Sequence, residues 1–321
     1  MFKEKRIMFL IAETPVHAGS GSEVGIVDLP IQRERYTEYP KIESSGLKGC
    51  LREAFENSLK EIEINNQKVR ANDKKAISIV FGPEGEEAHA GAITITDARI
   101  LLFPVKSLKG VFAWITCPMV LERFKRDLEI AGVGNFESSN FFSLQNTIPS
   151  SSNIAISSKV VLEEFTFEVK ENEITQKLAS WFAKEIFPNN SSYQFWKEKL
   201  EKDLVILSDD DFKHFVKSST EIITRIRIDD VTGTAKGGAL WTEEYLPQDT
   251  IMYSIVMFTQ PRVEKDEQKG IFRAEVPEEA AKLVSKFFER ALPEIIQIGG
   301  NQTIGKGFMR VKLFGKSETG G

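Results

Sequence analysis

The pattern of apolar residues in this chain predicts an α+β fold. Three observations carry that expectation. Apolar runs of strand length stand near both ends, stretches with one-turn apolar spacing lie between them, and 321 residues with 41% hydrophobic side chains suffice for a large core. The segments follow the order strand, helix, strand, strand, helix, strand, with long insertions. That order predicts a ferredoxin-like (RRM-like) core, whose sheet offers an open face that many RNA-binding domains use.

Residues 6–12, "RIMFLIA", predict the first strand. Residues 44–62 predict a helix, because Leu47, Leu51, Phe55 and Leu59 recur once per turn, with Ser44 or Ser45 as the N-cap. "GAITITDARILLF" and "VFAWITC" predict two strands joined by "PVKSLKG". "PMVLERFKRDLEIAG" then opens on a proline and stops at a glycine, as a helix does. Three short helices are expected over residues 174–217, the last opening at Asp209–Asp211. "PEEAAKLVSKFFERAL" predicts the final helix and "GKGFMRVKLF" the closing strand. One elaborated domain results, with a core of about 1–131 and 248–321, a helical insertion of about 165–218 and a hairpin of about 219–247.

In that hairpin, "EIITRIRID" alternates Ile222, Thr224, Ile226 and Ile228 against Ile223, Arg225 and Arg227. "VTGT" turns the chain, and "GGALWTEEYLP" returns with Trp241, Glu243 and Tyr245 on one face. A projecting hairpin would display arginines and aromatics together. A packed edge hairpin would bury the aromatics instead.

Composition limits the function classes. No apolar run spans a membrane, and the start predicts a strand rather than a signal peptide. Cys50 and Cys117 lie far apart and supply neither a disulfide framework nor a metal spacing, which suits a reducing cytoplasm. The net charge is −5, yet residues 299–316 carry Lys306, Arg310, Lys312 and Lys316 and no acid. Such segregation allows a local basic groove on an acidic protein.

Several motifs bear on chemistry. "GGNQTIGKGF" resembles a phosphate-binding P-loop, but Gly307 stands where a metal-binding Ser or Thr belongs, and the loop precedes a strand. Its glycines allow close backbone approach and Lys306 favours an anion, so a phosphodiester backbone is the functional expectation and a hairpin turn the bland one. Lys48 and Arg52, one turn apart at a helix N-terminus, form an anion site or a solvated charged face. The same Leu-Lys-Gly recurs at 108–110, between strands. Of the three histidines, His214 reads as structural and His89 lies in a polar loop. Neither a metal cluster nor a serine hydrolase elbow is present. The remaining stretch, "HAGSGSEVGIVDLPIQRER" from His17 to Arg35, sets one carboxylate, Asp28, between Val27 and Leu29.

Five segments, "TPVHAGSGSEVGIVDLPIQRER", "SSGLKGCLREAF", "FPVKSLKGVFAWITCPMVLERFKRDLE", "RIRIDDVTGTAKGGALWTEEYLP" and "IQIGGNQTIGKGF", occur in this order. Together they closely resemble the backbone subunit family, fourth in the series, of the Cmr complex, the type III-B CRISPR effector built from RAMP-superfamily proteins. The resemblance implies a cytoplasmic subunit that polymerises along guide RNA beside copies of itself and other Cmr subunits. It assigns Lys48, Arg52 and the Gly299–Gly307 loop, with Gly299, Gly300 and Lys306, to the guide's phosphates. The hairpin, with Arg225, Arg227 and Trp241, corresponds to a thumb that wedges into the guide–target duplex and flips out a nucleotide at intervals. The Asp28 loop corresponds to the one that cuts complementary target RNA, with a divalent metal, Mg or Mn, and a cyclic phosphate product. Relatives commonly carry Ser-Leu-Lys-Gly, whereas here Gly46 precedes Leu47 and the hydroxyl stands at Ser45.

The expected chemistry needs little from the protein. RNA cleaves itself when its 2′-hydroxyl comes into line with the leaving oxygen, and unstacking a nucleotide supplies that alignment. Asp28 is expected either to accept the 2′-hydroxyl proton or to hold a hydrated metal that does so. His17, Glu243 and Tyr245 are secondary candidates, and His17 equally suits a guide phosphate. Arg33 and Arg35 suit phosphate positioning, or salt bridges to Glu34 and Glu38. Two other readings stand beside this one. The first is a guide-binding scaffold in which Asp28 merely caps a loop, and the second is a standalone guide-processing ribonuclease.

Overall fold

A computed structural model of the protein describes residues 2–22, 27–85, 89–134 and 140–315, with backbone alone over 235–239. In chain order its principal elements are β1 (Glu4–Ala12), α1 (Ser44–Glu56), β2 (Ala98–Lys106), β3 (Phe112–Thr116) and α2 (Pro118–Ala131). There follow α3 (Glu173–Ile186), α4 (Gln194–Lys202) and α5 (Asp209–Ser218). The chain closes with β4 (Glu221–Ile228), β5 (Ala235–Tyr245), β6 (Ile251–Phe258), α6 (Pro277–Ala291) and β7 (Phe308–Phe314).

The central sheet runs β3-β2-β6-β1-β7, each neighbour antiparallel to the next. β1 sits between β6 and β7, and Ile7 to Ala12 are all buried, which explains its unbroken apolar run. Period two then assigns the faces. Phe9 and its register partner Tyr253 both meet Phe124 of α2, and Phe9 also meets Trp181 of α3. Phe258, of opposite parity to Tyr253, meets Phe288 of α6, which stacks on Phe55 of α1. Helices therefore cover both faces. The open sheet face expected for RNA is not open here, because α2 and α3 bury their aromatics against it.

Most of the expected elements form, with four corrections. α1 stops at Glu56, so Leu59 falls outside it and is 74% exposed; only Leu47, Leu51 and Phe55 make its stripe. Neither Ser44 nor Ser45 caps it; Asp97 Oδ1 accepts the Ser44 N–H at 2.9 Å instead. The strand expected over 91–103 is two, Ile93–Ile95 and β2. The joining loop starts only after Lys106, since Pro104 pairs with Trp114. α2 does end at Gly132, whose φ of 67° is the left-handed stop that glycine favours.

β4 and β5 form a two-stranded sheet of their own, apart from the central one. Both readings of this hairpin hold in part. In its outer half Ile226, Ile228, Val231 and Leu240 are exposed, whereas Glu243, Glu244 and Tyr245 at its root are buried. Among the described residues no helix is long and apolar enough to cross a membrane.

Candidate functional site

The root of the hairpin is where the sequence-nominated residues meet. Asp28 does not stand alone between its apolar neighbours: its segment is laid along β5. The Leu29 N–H donates to the Thr242 carbonyl and the Glu244 N–H to the Leu29 carbonyl, both at 3.0 Å, a short parallel ladder on the edge of the hairpin. Within it Asp28 and Thr242 grip each other. The Asp28 N–H donates to Thr242 Oγ1 (2.9 Å), while Asp28 Oδ2 accepts the Thr242 N–H (2.7 Å) and the Thr242 hydroxyl (2.9 Å). Asp28 is nevertheless exposed. The Thr242 N–H and then its hydroxyl hold the carboxyl below its ordinary pKa, so Asp28 is an anion at the surface. Residues 23–26 of this loop lie outside the described residues.

Glu244, on the same side of β5 as Thr242, fixes the rest of the segment. Its carboxylate accepts from the Ile31 N–H (3.0 Å), Arg33 Nη2 (2.5 Å) and Thr220 Oγ1 (2.8 Å). Arg33 also donates to the carbonyls of Glu38 and Val216. Its salt bridge is thus to Glu244 and not to the expected Glu34 or Glu38, which pair with Arg123 and with Lys213 and Lys217. Arg35 is exposed and has no ion pair among the described residues.

The opposite side of β5 carries a second network. Glu243 accepts hydrogen bonds from Trp241 Nε1 (2.9 Å), Asn301 Nδ2 (2.9 Å), Arg225 Nε (3.3 Å) and the Tyr245 hydroxyl. The Tyr245 oxygen accepts in turn from Arg225 Nη2 (2.9 Å) and Asn301 Nδ2 (2.8 Å). Burial opposes the charge on Glu243, but these donors outweigh it and its pKa lies below the ordinary value; burial and Glu243 push Tyr245 up. Lys306 Nζ stands 5.2 Å from the Tyr245 ring centre. Arg227, farther out, is exposed.

His17 joins both networks to the glycine-rich loop. Its Nδ1 lies 2.7 Å from the Glu244 carbonyl, which can only accept, so that nitrogen carries the proton and Nε2 has no hydrogen-bond partner among the described residues. The His17 carbonyl accepts the Gly300 N–H at 3.1 Å. The loop itself turns through Asn301, Gly305 and Gly307, all at positive φ, into β7 and opens no long helix. It therefore lacks the helix N-terminus on which a P-loop holds phosphate. Cys50 of α1 lines one small cavity with Gln297 and Gln302, which sets the middle of α1 beside the loop. There Lys48 is half-buried, and burial with the neighbouring Arg52 and Arg262 lowers its pKa. Arg52 is already engaged by Glu56 (2.7 Å), Glu84 (3.1 Å) and the Gly82 carbonyl (2.9 Å), while Ser45 is exposed.

Among the described residues, no group of three His, Cys, Asp or Glu side chains could hold a metal ion. A single carboxylate still suits Mg or Mn, which keep most of their water and bind through one or two carboxylates together with RNA phosphates. Asp28 fits that pattern, since Oδ2 is taken by Thr242 and Oδ1 has no hydrogen-bond partner among the described residues. His214 is exposed and packs edge-on against Phe165 and Phe215.

Sequence reasoning missed Thr242, Glu244 and Asn301. Period two around Trp241, Glu243 and Tyr245 already assigns Thr242 and Glu244 to one shared face. It carries no information about which loop covers that face.

The chain is thus an α+β protein whose helix-covered sheet carries a separate hairpin with an exposed carboxylate, Asp28, held at its root. Residues 9–310 match the RAMP superfamily, and the chain belongs to it, within the family of the Cmr4 subunits. It is 43% identical over 312 residues to the CRISPR system Cmr endoribonuclease Cmr4 of Pyrococcus furiosus, covering 96% of this chain and 95% of that one. It is 27% identical over 323 residues to the CRISPR system CMR subunit Cmr4 of Saccharolobus solfataricus, covering 95% and 94%. The crystal structure of oligomeric Cmr4 from Pyrococcus furiosus superposes with a TM-score of 0.68 at 33% identity, over 98% of this chain and 99% of that one. A chain of the type III-B Cmr-beta complex bound to cognate target RNA shares the fold, with a TM-score of 0.66 at 22% identity over 97% and 98%.

Proposed function

We propose that this protein is the backbone subunit of a type III-B CRISPR effector. It binds guide RNA through backbone phosphates, repeats along it beside further copies and other Cmr subunits, and cuts complementary target RNA at regular intervals. In this reading β1, α1, β2, β6, α6 and β7 are a ferredoxin-like core, the chain is one elaborated domain in the cytoplasm, and β4–β5 is a thumb. The single observation that carries the catalytic part is Asp28, exposed at the hairpin root and held through one oxygen.

The hairpin unstacks a target nucleotide, which brings the 2′-oxygen into line with the scissile bond. The 2′-oxygen bonds to phosphorus, the bond to the 5′-oxygen breaks, and the products are a cyclic phosphate and a 5′-hydroxyl. Oδ1 of Asp28 presents a fixed negative charge to this site, either as acceptor of the 2′-hydroxyl proton or as the ligand of Mg or Mn. Such an ion supplies a Lewis acid for the phosphate and a more acidic bound water. His17, when protonated, offers Nε2–H to the leaving 5′-oxygen, and the Glu244 carbonyl fixes its ring. Arg225, Arg227, Arg35 and Trp241 meet the displaced strand, while Lys48, Lys306, Ser45 and the amides of Gly299 and Gly300 meet guide phosphates. Arg33 and Arg52 support from within, and Glu243 with Tyr245 ties the hairpin to the phosphate loop.

A scaffold reading has one observation in its favour, because the bonds from Asp28 to Thr242 are those of a loop cap. Asp28→Ala protein, assembled with its sister subunits, guide and labelled complementary RNA in magnesium, decides between them. A lost ladder of regular products with intact assembly and target binding establishes catalysis. An unchanged ladder establishes the scaffold.

A further inference from the structure

We propose that Thr242 is a positioning residue of the cleavage site, selecting which oxygen of Asp28 faces the RNA. The inference rests on the reading of Asp28 as the cutting carboxylate and concerns how that carboxylate is aimed. An exposed aspartate ordinarily samples several rotamers and has two equivalent oxygens. Here one neighbour removes both freedoms. The Thr242 hydroxyl accepts the Asp28 N–H and donates to Asp28 Oδ2, while the Thr242 N–H donates to the same oxygen. Three hydrogen bonds between two residues fix the backbone of Asp28, its side-chain torsions and the identity of its bound oxygen. Oδ1 is thereby the only one left to face outward.

The clamp sits where water would compete for it, so its support is instructive. The Leu29 N–H to the Thr242 carbonyl and the Glu244 N–H to the Leu29 carbonyl flank it, which holds the two residues in register without relying on the exposed bonds. A β-branched residue in a strand is stiff at χ1, which keeps the hydroxyl aimed at Asp28. Thr224 lies opposite it in the hairpin register. Serine keeps the donor and acceptor but loses that stiffness. Valine keeps the shape and the backbone N–H but loses both hydroxyl roles.

The test uses the fully assembled complex with guide, in saturating excess over labelled target so that a single turnover is read, with target affinity measured separately. Thr242→Val is expected to lower the cleavage rate constant roughly 10-fold, with target affinity and product spacing unchanged. Thr242→Ser restores most of the rate. The double variant Asp28→Ala with Thr242→Val is no slower than Asp28→Ala alone, because Thr242 acts through Asp28. Wild-type cleavage by Thr242→Val, beside an inactive Asp28→Ala, overturns the positioning role and leaves the reading of Asp28 standing. Full cleavage by Asp28→Ala overturns that reading. Loss of assembly or of target affinity in Thr242→Val, or a serine variant as slow as valine, makes Thr242 a packing residue and also overturns the proposal.

Discussion

Gly299 lies against the carbonyl of His17 so closely that a Cβ on it would stand 2.1 Å from that oxygen. Its φ of 80° is also one that side chains rarely adopt. The glycine loop and the His17 segment can touch only because this position is bare. Gly299→Ala is therefore expected to cost about 2–4 kcal/mol and to loosen guide binding. Thermal unfolding and guide titration would check this. An alanine variant of wild-type stability would show that the loop seats elsewhere.

Glu244 holds Arg33 at 2.5 Å with both groups largely removed from water. Removing one partner leaves the other charge uncompensated. Glu244→Gln should therefore cost about 3 kcal/mol, and Arg33→Met in that background should recover part of it. A double-mutant cycle on unfolding midpoints measures the coupling. Additive effects would mean that Arg33 is free to leave for a phosphate.

Lys48 and Arg52 are neighbours on α1 with different prospects. Arg52 is bound by Glu56 and Glu84, whereas Lys48 has no acidic partner among the described residues and feels the repulsion of Arg52 and Arg262. In the proposed function it is guide RNA that brings the missing negative charge. Lys48→Ala should weaken guide binding for any sequence and reduce the slope of log affinity against log salt by about 0.7. Arg52→Ala should leave that slope nearly unchanged. Equal slopes in the two variants would contradict the assignment.

Asp249 gives a pH dependence independent of the site. Burial, with Glu13 nearby, raises its pKa to about 6 from an ordinary 3.8. The folded state thus disfavours the charged form, so a penalty appears as pH rises above 3.8 and is complete above about 6. Asp249→Asn should raise the unfolding midpoint by a few degrees at pH 7.5 and leave it unchanged near pH 3. Asparagine also tolerates the φ of 67° at this position. An equal shift at both pH values would assign the effect to packing instead.

Much of this fold is legible in the residues alone. The buried run of β1, the Leu47-Leu51-Phe55 stripe, the proline start and glycine stop of α2 and the alternation of β4 are local patterns. Local apolar period is what secondary structure depends on most directly. The same pattern extends one turn too far at Leu59, because a spacing can continue by chance after the buried face has ended.

Contacts between distant segments were decided by tertiary structure. The partner of Asp28 lies 214 positions away, and that of Arg33 lies 211 away. Alternation along β5 shows that Thr242 and Glu244 share a face, but only the path of the chain brings the Asp28 segment onto it. The same holds for the sheet face covered by α2 and α3, and for Asn301 bridging Glu243 and Tyr245. Periodicity tells which side chains must find partners. Which partners they find depends on how the chain returns.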